Sequence, residues 1–209
     1  RLAEGMTTGP HVLLVESIAD LVYLKTMSAL ARDESLPGLD PRWTVTPVGG
    51  IARIGIFLGL TGQTGARTVA GVFSFANGSP EEVATPAEKE MLHKQSWLSY
   101  EYFADLPAAD VEDLFDPEIY LDVVNAEYAD ALRRPMAMAD LGDGRYKMNE
   151  RIAAWLASRP LANGTVFSRE RVALRFLANI TPLGPRACGE SLRRFGGLCR
   201  PPAAVHQSQ

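Results

Sequence analysis

Four consecutive apolar residues, Val12-Leu13-Leu14-Val15, end on Glu16 and run without a break into Ser17-Ile18-Ala19-Asp20, and no other stretch constrains the fold as much. A continuous apolar run of this length is the pattern of a strand buried on both faces, which points to a parallel sheet covered by helices. In open α/β sheets the carboxyl ends of the strands are where ligands and reacting groups collect. With a helix starting near Ser17, its first turn carries the Asp20 carboxylate back toward Glu16, so two acids share one strand mouth. Such a pair suits a divalent cation. The alternative is structural: Glu16 caps the helix and Asp20 is solvated on its first turn, favoured by the helix dipole.

The rest of the first half repeats the strand and helix alternation. Apolar positions at helical spacing predict a helix over 18–32, ended by Pro37-Gly38. A second strand is expected over 43–48, closed by Gly49-Gly50, then a short apolar helix over 51–60 and a third buried strand over 68–73. A helical, charged stretch over 80–93 leads to a short fourth strand over 96–100. Repeated units of this kind predict a parallel sheet with helices on both faces. From Asp110 onward the pattern turns helical, over 117–132, 146–157 and 169–177, and reads as a C-terminal helical appendage packed on the sheet. The expected organisation is therefore an α/β core over 1–109, an acidic motif and helical appendage over 110–200 completing the same domain, and a fraying tail over 201–209.

Composition narrows the setting. With 46% hydrophobic residues in 209, the chain has enough apolar surface for a real core, and a formal net charge of -4 argues against a generally basic surface that coats nucleic acid. Cys188 and Cys199 are too far apart for a C-x-x-C motif, which favours a reduced, cytoplasmic setting and leaves a Cys188–Cys199 disulfide open. No run approaches the ~18 apolar residues of a membrane span, so no membrane partner is expected. His11, His93 and His206 fall in a strand start, a charged helix and the tail, a poor basis for a Ser-His-Asp or Cys-His nucleophile. Trp97, Tyr100, Tyr102 and Phe103 have the look of a base-stacking platform, but their closeness to an apolar strand favours packing. Arg145, Lys147, Arg151, Arg159, Arg169, Arg171 and Arg175 form a basic series that suits a phosphate backbone, with solvated helical arginines as the ordinary explanation.

Five phrases in order carry a family resemblance: Leu14-Val15-Glu16, Leu39-Asp40-Pro41-Arg42-Trp43-Thr44, Pro47-Val48-Gly49-Gly50, Asp110-Val111-Glu112-Asp113-Leu114-Phe115 and Val124-Asn125-Ala126-Glu127-Tyr128. Together they resemble the Toprim domain of OLD-family (overcoming lysogenization defect) nucleases, over roughly residues 11 to 180. The resemblance implies a Toprim-like sheet and a DNA endonuclease working through Mg²⁺ or Mn²⁺, which polarise the scissile phosphate and activate water. It also implies an ABC-type ATPase domain as a partner; the chain has no G-x-x-x-x-G-K-[ST] phosphate loop, so that domain is absent from it. A homodimer is a further possible partner arrangement. Carried over residue by residue, Glu16 and Asp20 match the first acidic pair, and Asp110, Glu112 and Asp113 match the later acidic group. These five are the expected metal ligands, and Glu16 and Lys147 the expected catalytic residues.

Two departures from the family pattern stand out. Where the third strand should end in a D-x-D pair, the chain reads Ser74-Phe75-Ala76, and no Asp or Glu occurs between Asp40 and Glu81. Where the related nucleases carry a lysine before an Arg-Ile pair, this chain has Glu150, so that only Lys147, on a shifted helix, reaches the phosphate. Losing two carboxylates weakens the cage that Mg²⁺ demands. If the site is empty, its remaining acids must take up a proton or find Arg53, Arg67 or Lys147. Two readings follow: a Toprim nuclease with weakened or lost activity, and a silent Toprim module for DNA binding, dimerisation or regulation of an ATPase partner.

Overall fold

The computed structural model describes residues 11–63, 68–93, 95–179 and 189–199. Four parallel strands, β1 (His11–Val15), β2 (Trp43–Pro47), β3 (Thr68–Phe73) and β4 (Ser96–Ser99), form one sheet in the order β2-β1-β3-β4. The α/β class and the parallel sheet are those expected from the apolar runs. In register, Leu13 lies between Val45 and Ala70, and Leu14 between Thr46 and Gly71. Consecutive residues of β1 and β3 serve opposite faces, as the period of a strand requires. Leu13, Val15, Ala70 and Val72 enter one core, while Val12, Leu14, Val69 and Phe73 enter the other.

Both cores have helical covers. The first core is shared by α1 (Ile18–Asp33), α6 (Pro117–Glu127), α7 (Met148–Ser158), α8 (Arg169–Ala178) and α9 (Glu190–Cys199), after the small α5 (Tyr100–Ala104). It therefore takes side chains from both halves of the chain, with Tyr23 of α1 meeting Phe115 and Phe176 edge to face. The second core is covered by α2 (Ile54–Gln63), which follows a 3-10 turn at Ile51–Arg53, and by α4 (Pro86–Leu92) after α3 (Pro80–Val83). Gly71 faces this second core. A β-carbon there would come within 2.5 Å of the Phe73 ring and 2.6 Å of the Trp97 ring, so only glycine lets both rings lie across the strand.

Several boundaries differ from the expected ones for local reasons. The charged stretch over 80–93 is two short helices because Pro86, which lacks an N–H, starts a new helix behind Thr85. The strand over 96–100 ends at Ser99, whose hydroxyl accepts from the Tyr102 N–H and turns the chain into α5. The helix over 117–132 stops at Glu127, and α9 went unforeseen because Gly196-Gly197 inside it lowers its helical propensity. Among the described residues no helix is long and apolar enough to cross a membrane. Cys199 is buried and free, and burial pushes its thiol up to about 11. Cys188, Arg67, His206 and the tail over 201–209 lie outside the described residues.

Candidate functional site

Strands β1 and β3 are neighbours, although β2 comes between them in sequence, so the chain reverses its winding direction there and opens a crevice at their carboxyl ends. Glu16 stands one residue past β1. Its carbonyl accepts from Gly49 N–H at 2.9 Å, continuing the β1–β2 pairing, and Gly49 takes a positive φ of 78° under the Arg53 side chain. The half-buried Glu16 faces an open cleft of about 900 Å³ that Val48, Gly49, Arg53, Phe57 and Arg169 also line. Burial, and then the charge of Asp110, raise its pKa.

Asp20 is fully buried and belongs to the start of α1. Its carboxylate accepts from the Ser17 N–H at 2.9 Å and from the Ser17 hydroxyl, while the other oxygen accepts from the Tyr100 hydroxyl. The Ser17 side chain in turn accepts from the Asp20 N–H, a capping box that fixes where the helix begins. Asp20 is thus bonded on both oxygens and is not the solvated first-turn acid that helix dipole arguments alone suggest.

The later acidic group lies on and just before a 3-10 turn, Val111–Leu114, and each of its three acids has a partner. Asp110 accepts from Lys147 Nζ at 2.8 Å. Glu112, 1% exposed, holds Arg169 in a two-pronged pair, at 2.8 Å to Nε and 2.7 Å to Nη2, and Arg169 Nη1 lies 3.9 Å from Asp110. Asp113 accepts from the Asp110 N–H and the Met148 N–H, each at 2.8 Å, and so ties the acidic turn to the start of α7. Burial pushes Asp113 up to about 6, raises the pKa of Asp20 against its hydrogen bonds from Ser17 and Tyr100, and raises that of Glu112 against the pull of Arg169.

Lys147 precedes α7 and is buried between the two strand mouths. Its ammonium donates to Ser74 Oγ at 2.9 Å as well as to Asp110. Burial opposes its charge, but the bond to Asp110 outweighs that and raises its pKa, so it is held as a cation. Glu150 is exposed in the first turn of α7. The position facing the acids is therefore filled by Lys147, while Glu150 is exposed.

Two side chains of this site are not singled out by the sequence. Arg169 was read as one member of a basic series, yet it is the partner of a buried carboxylate. Its signal was available: an arginine at the first position of a helix opposes the helix dipole and needs an anion nearby. The second is Glu101, which reaches the turn after β3. It accepts from Ser74 Oγ at 2.7 Å and from the Phe75 and Ala76 N–H groups. An acid does reach the Ser74-Phe75-Ala76 segment, but from 27 residues away.

Most of the other candidate residues have structural partners. Trp97 leans on Phe73 and donates to the Leu92 carbonyl, Tyr100 is buried, and only Tyr102, 81% exposed, presents an open ring. Arg145 pairs with Asp143, Arg171 with Glu127, Arg159 lies over Trp155, and Arg151 bonds the carbonyls of Leu141 and Gly142.

The site thus gathers Glu16, Asp110 and Glu112 around two internal cations, Lys147 and Arg169. Mg²⁺ needs several free oxygens in a nearly ideal octahedron, and apart from Glu16 the acids here are bonded to a lysine, an arginine, backbone N–H groups and hydroxyls. Among the described residues no three His, Cys, Asp or Glu side chains are grouped to hold a metal ion. As arranged, the residues do not fit a divalent cation. No protein-family model, curated protein or solved structure matches this chain.

Proposed function

We propose that the chain is a Toprim-like module that does not hydrolyse phosphodiesters and serves in binding or regulation, alongside an ABC-type ATPase such as those joined to the Toprim domains of OLD-family nucleases. The observation that carries this reading is the double ion pair, Lys147 with Asp110 and Arg169 with Glu112. Each cation supplies, within the protein, positive charge that a metal site would draw from Mg²⁺ or Mn²⁺. Asp110 and Glu112 are paired without an ion, and the Ser74-Phe75-Ala76 turn adds no carboxylate of its own. For Asp110 or Glu112 to ligate a metal its ion pair would have to open, which leaves Lys147 or Arg169 without its partner.

The test is plasmid nicking in Mg²⁺ or Mn²⁺ together with a gel-shift assay on the same DNA. The expected result is no nicking above buffer. Mg²⁺-dependent cleavage that disappears in Glu16→Ala would overturn the proposal. One observation favours the nuclease as a second reading: Lys147 lies at the strand mouth, where a cation stabilises charge on a phosphate. Under that reading, replacing Ser74 and Ala76 with Asp raises nicking from a measurable baseline, and Lys147→Ala removes it.

A further inference from the structure

The turn after β3 carries more hydrogen-bond donors than its present occupant can use. Oε1 of Glu101 receives Ser74 Oγ at 2.7 Å, Phe75 N–H at 3.0 Å, Ala76 N–H at 3.1 Å and Ala109 N–H at 3.4 Å. Its other oxygen receives a single donor, the same Phe75 N–H at 3.1 Å. A carboxylate oxygen offers about two lone pairs, so four donors crowd one atom while its neighbour is nearly idle. Successive N–H groups aimed at one point form a concave anion receptor. Lys147 Nζ, 2.9 Å from Ser74 Oγ and paired on its other side with Asp110, places a cation one atom behind it. The receptor is open to water, since Ala76 is exposed and Ser74, Phe75 and Glu101 are half-buried.

We infer that the Ser74–Ala76 turn is an oxyanion site whose resident anion is the Glu101 carboxylate, and that a phosphate monoester exchanges with it. A phosphate monoester has three terminal oxygens for the four donors, where the carboxylate offers one oxygen to nearly all of them. It also carries up to two negative charges beside Lys147, where the carboxylate carries one. Glu101 is tethered at the second residue of α5, a helix of 5 residues, so its side chain can leave the turn by rotation about its own bonds while the strand stays in place. The hydrogen bonds from Phe75, Ser74 and Ala109 outweigh the effect of burial and hold the Glu101 carboxyl below its ordinary range, so the resident group is ionised at neutral pH. This inference goes beyond the silent-module reading, because it needs neither the family resemblance nor any statement about metals.

The experiment titrates inorganic phosphate into the ¹⁵N-labelled full chain and follows the amide resonances of Phe75, Ala76 and Ala109. In Glu101→Ala these three amides should shift saturably, with at least roughly tenfold tighter affinity than in the unaltered protein, because the competing anion is gone. Adding Ser74→Ala should weaken that affinity about tenfold, the effect of one lost hydrogen bond to a charged group. Should Glu101→Ala fail to fold, Glu101→Gln keeps the side-chain volume and one acceptor while removing the charge. A folded variant whose three amides ignore phosphate, or respond equally to chloride at matched ionic strength, overturns the inference. Dimethyl phosphate binding as tightly as inorganic phosphate overturns the assignment to a monoester.

Discussion

Replacing Arg169 with alanine should be among the most damaging single changes in the acid site, and its size can be worked from the Glu112 side chain. That carboxylate has no exposed side-chain surface and two short bonds to the guanidinium. Breaking a buried pair by removing one partner costs about 3–5 kcal/mol. An independent bound comes from proton uptake: neutralising a carboxylate of ordinary pKa 4.5 at pH 7 costs about 3.4 kcal/mol, because each pH unit contributes about 1.36 kcal/mol. Proton uptake caps the loss through Glu112 at about 3.4 kcal/mol, so Arg169→Ala should lose about 3 kcal/mol at pH 7, or roughly 10 °C in Tm for a domain of this size. The sign of the pH dependence follows. Without Arg169 the folded-state pKa of Glu112 rises further, so the penalty is complete above that raised value and shrinks as pH falls toward 4.5. Between pH 7 and pH 5 the loss should shrink by up to about 2.7 kcal/mol. Urea unfolding of the unaltered chain, Arg169→Ala, and Arg169→Ala with Glu112→Gln, at both pH values, measures it. The double variant should be more stable at pH 7 than Arg169→Ala alone. A loss under about 1 kcal/mol, or an equal loss at both pH values, would refute the idea that Arg169 balances a buried charge.

Two further outcomes follow from the same acids. Because burial raises Asp113 to about 6 from an ordinary 3.8, its ionised form destabilises the fold above pH 6, and that penalty of about 3 kcal/mol is relieved as pH falls through 6 toward 3.8. Tm should therefore rise between pH 7 and pH 5, and less steeply in Asp113→Asn; a fall in the unaltered chain contradicts this. Tyr100→Phe removes the hydroxyl that donates to buried Asp20 and should cost about 1–3 kcal/mol in urea unfolding, whereas an unchanged midpoint would mean that Asp20 is satisfied by Ser17 alone.

What the sequence determined by itself is what short-range chemistry encodes. The apolar runs at 12–15 and 69–73 have the pattern of buried strands, the first passes directly into the helix that begins on Ser17, and the stretches behind Ser79 and Ser168 read as helices from their own residues. Those signals need no knowledge of distant residues, and they place Glu16 at a strand mouth. Tertiary structure alone decided what the acids do. Lys147 meets Asp110 across 37 residues, Arg169 meets Glu112 across 57, and Glu101 meets Ser74 across 27. An ion pair depends on distance and on exclusion of water, and neither is a property of a residue's neighbours in sequence. A carboxylate read alone suits a metal, a helix cap or a salt bridge equally well. Packing of α7 and α8 beside the sheet chose the salt bridges, by bringing two cations into the one place where buried acids most needed them.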